Sequence, residues 1–397
     1  MRSNSTPSEE FGLYLHIPYC RTICPYCDFN VYQSNCIPWN ELSAAMIRNA
    51  WAYQEMFHGR VLSTLYLGGG TPSLASPDWV QSLLEGLAEI MPFSSGLEIT
   101  LEANPGTLSE DKLVGYRLAG INRLSLGWQS SRSSQLHILG RDHDGFESRE
   151  SFEMARKVGF DNVNIDLIFG VPGQALKDLG HDLAEIEVLC PEHVSLYELT
   201  FHEGTPFASF LKRGRMTRMD EELLLAMTEE IEGRLSLSGY EHYEVSNFAQ
   251  PGRRSKHNSS YWNGVPYLGL GPGAHSFFVV KGQSGKRWEN LRRPEKYIEA
   301  WAGSTTGIVA YEAETFPGVS WVESLTPQQL LQERMMTGLR CANGVDLDRL
   351  WKEGWGRPEL CRIEMAIKKG WLIKSGSLVQ PTKEGMKLAD SLAALFF

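Results

Sequence analysis

No apolar run in this 397-residue chain is long enough to cross a bilayer. The first ten residues lack the apolar stretch of a secretory leader, and their single arginine and two glutamates do not suit a transit peptide. An excess of basic charge is missing too: the net charge is −10, which argues against a nucleic-acid partner held by broad electrostatics. Cysteine is scarce, and its seven residues are an odd number, so no disulfide framework is indicated. Low-complexity tracts are absent, and the only repetition is an alternation of strand-like and helix-like stretches. What remains is the composition of a globular protein, 42% apolar and 22% charged. The length suits a large domain with a smaller one, and the expected setting is the reducing cytoplasm.

Three of the cysteines stand close together in the run His16-Ile17-Pro18-Tyr19-Cys20-Arg21-Thr22-Ile23-Cys24-Pro25-Tyr26-Cys27-Asp28-Phe29. Three thiolates directly after an apolar, strand-like stretch suit one soft metal centre. Iron–sulfur clusters are usually held by four cysteines. Three would leave one iron of a four-iron cluster open to bind a small molecule and pass it an electron. Structural zinc is the alternative, and with four Cys/His ligands it would need His16 as the fourth. Cys36 is near enough to be a spare ligand, whereas Cys190, Cys341 and Cys361 read as ordinary thiols.

Short β-rich runs at 12–17, 63–67, 97–102, 123–128, 162–168 and 193–199 alternate with helix-like stretches near 39–57, 77–91, 109–119, 145–158, 175–189 and 219–238. Ser76-Pro77 and Ser109-Glu110 are helix-start signals. Six successive βα units imply an α/β fold with a parallel sheet and helices outside, too few for a closed eight-stranded barrel. Polar signals recur at the C-terminal strand ends, where such sheets bind ligands. The cysteines follow the first strand and Gly68-Gly69-Gly70-Thr71-Pro72 the second; Glu102 closes the third, Gln129 the fourth, and Asp166 lies in the fifth. Glycine lets backbone approach a ligand, Glu102 could accept bonds from ribose hydroxyls, and Arg141 offers a fork for a carboxylate. Each could equally be a buried polar group satisfied by backbone.

The domain organisation expected is a polar tail over 1–11, a barrel over 12–240, an extension over 241–320 and a helical, winged-helix-like domain over 321–397. The extension is rich in Gly, Pro, aromatic and basic residues and is expected to be irregular with a few strands. In the last segment Pro327 suits a helix N-terminus, and 370–385 reads as a small hairpin before a final helix.

The CxxxCxxC spacing after a strand, followed by Gly-Gly-Gly-Thr-Pro, resembles the radical S-adenosylmethionine superfamily. Residues 12–310 are similar to its coproporphyrinogen III dehydrogenase, or HemN-like, branch. The resemblance implies a partial (β/α)6 TIM-like barrel with a [4Fe–4S] cluster on Cys20, Cys24 and Cys27. The open iron would be chelated by the amino and carboxylate groups of S-adenosylmethionine. Tyr14, Gly69, Gly70, Thr71, Glu102, Gln129, Arg141 and Asp166 match positions that contact S-adenosylmethionine in that family. Two departures put coproporphyrinogen chemistry in doubt: Phe29 stands where the dehydrogenases place a further cysteine, and nineteen residues precede Cys20 where they have a long arm.

A second motif, Lys256-His257-Asn258-Ser259-Ser260-Tyr261-Trp262, places an iron-binding imidazole beside two flat aromatic surfaces, with Arg253, Arg254 and Lys256 available for propionates. From chemistry alone, a structural loop whose histidine caps a backbone carbonyl is the stronger reading. HNxxYW, however, resembles the haem-binding motif of HemW-type haem chaperones, as does the Cys24-Pro25-Tyr26-Cys27-Asp28-Phe29 run. That resemblance implies haem on His257, Asn258, Tyr261 and Trp262, with His275 a second candidate ligand. It further implies a haem-acceptor protein, plausibly respiratory, an electron donor such as flavodoxin or ferredoxin, a homodimer, and peripheral association with a membrane. The competing function is a radical enzyme, either a coproporphyrinogen III dehydrogenase or a related methyltransferase, acting through a 5′-deoxyadenosyl radical.

Overall fold

The computed structural model describes residues 10–279, 284–303 and 317–397. Most of the expected N-terminal tail therefore lies outside the described residues. The six expected strands form: β1 (Glu10–Ile17), β2 (Val61–Gly69), β3 (Phe93–Ala103), β4 (Arg123–Gln129), β5 (Val163–Phe169) and β6 (His193–Glu198). They pair in sequence order and in parallel. Helices α1 (Trp39–Tyr53), α2 (Pro77–Ala88), α3 (Glu110–Leu118), α4 (Ser133–Ile138), α5 (Gly145–Lys157), α6 (Leu176–Leu189), α7 (Pro206–Lys212) and α8 (Glu221–Leu237) follow the strands. The Ser76 and Ser109 hydroxyls cap α2 and α3 by accepting from the backbone N–H of Trp79 and Lys112.

The strands alternate in character with period two. Leu13, Leu15, Leu65, Leu67, Leu124, Leu126, Ile165 and Leu167 belong to the main apolar core. The positions between them are polar: Tyr14, Thr64, Tyr66, Glu102, Ser125, Asn164, Asp166, His193 and Ser195. Parallel register sets these side by side, with Tyr14 opposite Tyr66, Glu102 opposite Ser125, and Asp166 opposite Ser195. The result is an open barrel whose lumen is a buried polar network and whose outer wall is apolar.

Both edges are extended. Beyond β6 lie β8 (Asn247–Ala249) and β7 (Glu241–Glu244), antiparallel. Beyond β1 lie β9 (Tyr267–Leu270), parallel to it, then β10 (His275–Val279), β11 (Gly285–Asn290) and β12 (Val319–Leu325), antiparallel, completing a sheet of twelve strands. The segment expected to be irregular is thus more regular than its composition implied. It also supplies α9 (Lys256–Trp262) and α10 (Pro294–Ala300). Its strands gain order by pairing with barrel edges far away in sequence, which local pattern does not report.

Toward the C-terminus, Thr326 caps α11 (Pro327–Gly338), with Pro327 in the first turn. Short strands β13 (Val345–Asp346), β14 (Leu372–Ser375) and β15 (Leu378–Pro381) make a separate antiparallel sheet; β14 and β15 are the expected hairpin, followed by two short helices. A second core, including Leu330, Leu350, Ile363, Val379 and Phe396, packs against Phe277, Val279 and Leu325 of the large sheet. Among the described residues no helix is long and apolar enough to cross a membrane.

Candidate functional site

A cavity of about 410 Å³ opens at the C-terminal ends of the barrel strands. Cys20, Cys24 and Cys27 line one side; Gly69, Gly70, Thr71, Glu102, Gln129, Arg141 and Asp166 line the rest. The cysteine segment is tied to the glycine loop through its backbone. Gly70 N–H donates to Ile17 O and Thr71 N–H to Tyr19 O, each at 2.8 Å. The contact is tight enough that a Cβ on Gly70 would come within 2.6 Å of Tyr19 O and 3.0 Å of Cys20 Sγ. Glycine at 69 has its own reason, a φ of +114° that other residues rarely adopt.

Glu102 is fixed from two sides: Tyr66 Oη donates to Oε1 at 2.8 Å and Gly69 N–H to Oε2 at 3.0 Å. Burial pushes its carboxyl up to about 7, with the Tyr66 bond acting in the opposite direction. Asp166 is raised by burial too, against the bonds from Ser125, Ser195 and Asn164. Arg141 Nη1 lies 3.4 Å from Cys24 Sγ and Nη2 donates to Gly127 O at 3.2 Å. Its Nε is buried without a partner. Gln129 ends β4 with a φ of +66°, a left-handed conformation that costs a residue of this type on the order of 1–3 kcal/mol and is found preferentially at functional sites.

The donor set fits an iron–sulfur cluster. Burial raises the Cys20 thiol and pushes Cys27 up to about 11, so a metal must displace protons to hold them as thiolates. Among the described residues no three His, Cys, Asp or Glu side chains converge as a single-ion site. A cluster needs no such convergence, because each thiolate binds a different iron. The zinc alternative also loses its fourth ligand. His16 Nδ1 is bonded to Tyr14 Oη at 3.0 Å and Nε2 to Asn30 O at 2.9 Å. Cys36 is exposed and does not line the cavity. The orphaned Arg141 Nε, the carboxylate of Glu102 and the side-chain-free glycine edge match the polar groups of S-adenosylmethionine.

Tyr14 lies one layer deeper than the other candidates for that ligand. Its ring, those of Tyr66 and His257, and the Glu102 carboxylate form consecutive contacts inside the lumen. The haem-motif segment is at the opposite end of the barrel from the cysteines. Helix α9 closes the N-terminal strand ends, where the Glu98 carboxylate accepts from Lys256 N–H at 3.1 Å and His257 N–H at 3.0 Å. His257 is 1% exposed. Its Nδ1 bonds Thr64 Oγ1 and its Nε2 bonds Tyr261 Oη, both at 2.9 Å. Burial lowers its pKa to about 3, so the ring is neutral. Asn258 and Trp262 are half-buried, and Trp262 O accepts from Arg334. As folded, this segment offers no free imidazole nitrogen.

Sequence reasoning missed Tyr66, Ser125, Tyr197 and His202, all of which line the cavity. Tyr66 and Ser125 carried a usable signal: each is polar at an alternate position of an otherwise apolar strand. His202 lies in a loop, where no periodicity could mark it.

Residues 14–186 match the family model of the Radical SAM superfamily, and 325–388 match the HemN C-terminal domain. These matches, with the open barrel and its three-cysteine cavity, define the class: a radical S-adenosylmethionine protein of HemN-like build. The chain is 34% identical over 394 residues to the heme chaperone HemW of Bacillus subtilis (strain 168), covering 96% of this chain and 98% of that one. It is 36% identical over 400 residues to the mitochondrial radical S-adenosyl methionine domain-containing protein 1 of Bos taurus, covering 98% and 88%. The chain belongs to the HemW family of heme chaperones. Its fold is shared with the coproporphyrinogen III oxidase HemN of Escherichia coli, a radical SAM enzyme, at a TM-score of 0.81 and 22% identity over 98% of this chain and 91% of that one.

Proposed function

We infer that this protein is a haem chaperone which binds a [4Fe–4S] cluster, S-adenosylmethionine and haem, and delivers the haem to acceptor proteins. The observation that carries the reading is the nearly end-to-end relationship to proteins named heme chaperones, joined to a cavity in which the thiols of Cys20, Cys24 and Cys27 face a carboxylate, a guanidinium and a glycine edge. When bound, the cluster would supply an open iron and one electron. The chain's own groups do the rest. Arg141, beside Cys24, would hold the ligand's carboxylate; Glu102 would accept from its ribose hydroxyls; the backbone at Gly69 and Gly70 would lie against it; Gln129 would add a polar contact. The resemblance supports an electron donor such as flavodoxin or ferredoxin, a homodimer, a respiratory acceptor and work at a membrane surface.

The second reading is a radical enzyme acting on coproporphyrinogen III or performing a methyl transfer. It is favoured by the shared fold with HemN. Against it, Phe29 is 63% exposed at the cavity mouth, where the dehydrogenase pattern calls for a further cysteine. Anaerobically reconstituted, haem-loaded protein mixed with an apo-acceptor such as apomyoglobin should pass its Soret absorbance to the acceptor. Reduced protein given S-adenosylmethionine and coproporphyrinogen III should yield no protoporphyrinogen. Protoporphyrinogen formation, or haem retained against every acceptor, would overturn the chaperone reading.

A further inference from the structure

A haem-binding chain needs an imidazole nitrogen free to reach iron, next to apolar surface that can face a porphyrin. Five of the ten histidines are ruled out by their ring contacts, and His275 has its Nε2 turned to Glu289 Oε1 at 3.5 Å. His16, His193 and His257 are buried with both ring nitrogens hydrogen-bonded. His143 is buried with Nε2 on Trp128 O, and His242 lies flat on Phe248 with Nε2 on Val245 O.

His202 is different. It lines the mouth of the cluster cavity, with a side chain 47% exposed. Its carbonyl is anchored by Thr205 N–H at 3.2 Å and Thr205 Oγ1 at 2.7 Å, which fixes the base of the ring. Its Nδ1 sits 3.3 Å from Asp28 Oδ2. A carboxylate beside Nδ1 leaves Nε2 as the nitrogen turned outward, the arrangement that orients metal-binding histidines. Among the described residues Nε2 has no hydrogen-bond partner. Asp28 follows the cluster cysteine Cys27 directly, so the pair joins the cluster loop to the loop after β6. On the same rim Phe29 is 63% exposed and Ile23 40% exposed, apolar surface at the mouth of the cavity. Beside His202 in sequence, Phe201 carries the Arg218 guanidinium 5.2 Å above its ring, a cation available to a propionate.

We propose that His202, oriented by Asp28, is an axial ligand of haem iron, and that the porphyrin lies across the cavity mouth against Phe29 and Ile23. This rests on the haem-binding reading above. Haem so placed covers the entrance to the S-adenosylmethionine cavity, so each ligand restricts access for the other.

The test is a haem titration of the anaerobically reconstituted full chain, followed in the Soret band, with His202→Ala, Asp28→Asn and His257→Gln beside the wild type. Iron content and the urea unfolding midpoint of each variant show that cluster and fold are retained. Loss of the ligand should weaken binding by about tenfold or more and shift the Soret maximum; loss of its orienting carboxylate should weaken binding by about tenfold. His257→Gln should keep wild-type affinity. Unchanged affinity and spectrum in His202→Ala would overturn this assignment alone, as would loss of binding confined to a folded His257→Gln. Wild-type protein that binds no haem would overturn the assignment together with the chaperone reading.

Discussion

The Tyr66 ring stacks on His257, with centroids 5.0 Å apart and planes 24° apart, while its hydroxyl donates to Glu102 Oε1 at 2.8 Å. One side chain thereby joins the helix that closes the barrel floor to the carboxylate that faces the cavity at its top. Tyr66→Phe keeps the stack and removes the bond. A hydrogen bond to a charged group contributes about 1.5–3 kcal/mol, so S-adenosylmethionine affinity should fall by about tenfold or more in equilibrium dialysis. The bond also holds the Glu102 carboxyl down against burial, which even so raises it to about 7. Without the bond the carboxyl lies higher still, so the affinity gap between wild type and variant should widen as pH is lowered toward about 7 and level off below it. An unchanged gap across that range would contradict this account of Tyr66.

Gly70 has no room for a side chain. The nearest atoms to an added Cβ are Tyr19 O at 2.6 Å and Tyr19 C at 2.9 Å, both backbone, with Cys20 Sγ at 3.0 Å. Gly70→Ala should displace the segment that carries Cys20, at a cost of about 1–3 kcal/mol. Iron per chain after reconstitution should drop, while Gly59→Ala, where φ is +78° and nothing lies within 4 Å of the added carbon, should leave iron content intact.

Truncating His257 is a structural injury before it is a ligand deletion. It would leave Thr64 Oγ1 and Tyr261 Oη without their partner and remove an aromatic contact beneath Tyr66. His257→Ala should cost about 2–4 kcal/mol in urea unfolding, and His257→Gln, which can keep one bond, clearly less. Equal stability of wild type and alanine variant would contradict the buried, doubly bonded ring.

Stability should also depend on Glu244, which is fully buried beside Asn247 and Ser246. Burial raises its carboxyl from 4.5 to about 7. The folded state thus binds the proton more tightly than the unfolded one. The resulting stabilisation is fully present below about pH 4.5 and is lost as pH rises through about 7. Glu244→Gln should gain on the wild type by on the order of 2–3 kcal/mol between about pH 4.5 and about pH 8. A constant difference would contradict it.

The barrel was legible because short β-rich runs alternate with helix-like stretches in six successive units, and because Ser76 and Ser109 mark helix starts that the structure keeps. Cys20, Cys24, Cys27, Gly70 and Glu102 were legible because strand order alone brings C-terminal strand ends together. The orientation of His257 was not. It depends on Glu98 gripping the start of α9 across 158 residues of sequence, and HNxxYW reads the same whether the imidazole faces solvent or the lumen. The Asp28–His202 pair was equally hidden, since it joins two loops that meet only when β1 and β6 curl into one barrel.

The central claim is that three cysteines hold a cluster whose open iron faces the S-adenosylmethionine cavity. Electron paramagnetic resonance of the reduced, reconstituted protein, recorded with and without S-adenosylmethionine, tests it most directly. The account predicts a [4Fe–4S]⁺ signal that changes shape when S-adenosylmethionine is added, and whose response weakens in Arg141→Ala. A cluster signal indifferent to S-adenosylmethionine, or bound zinc without sulfide, would contradict it.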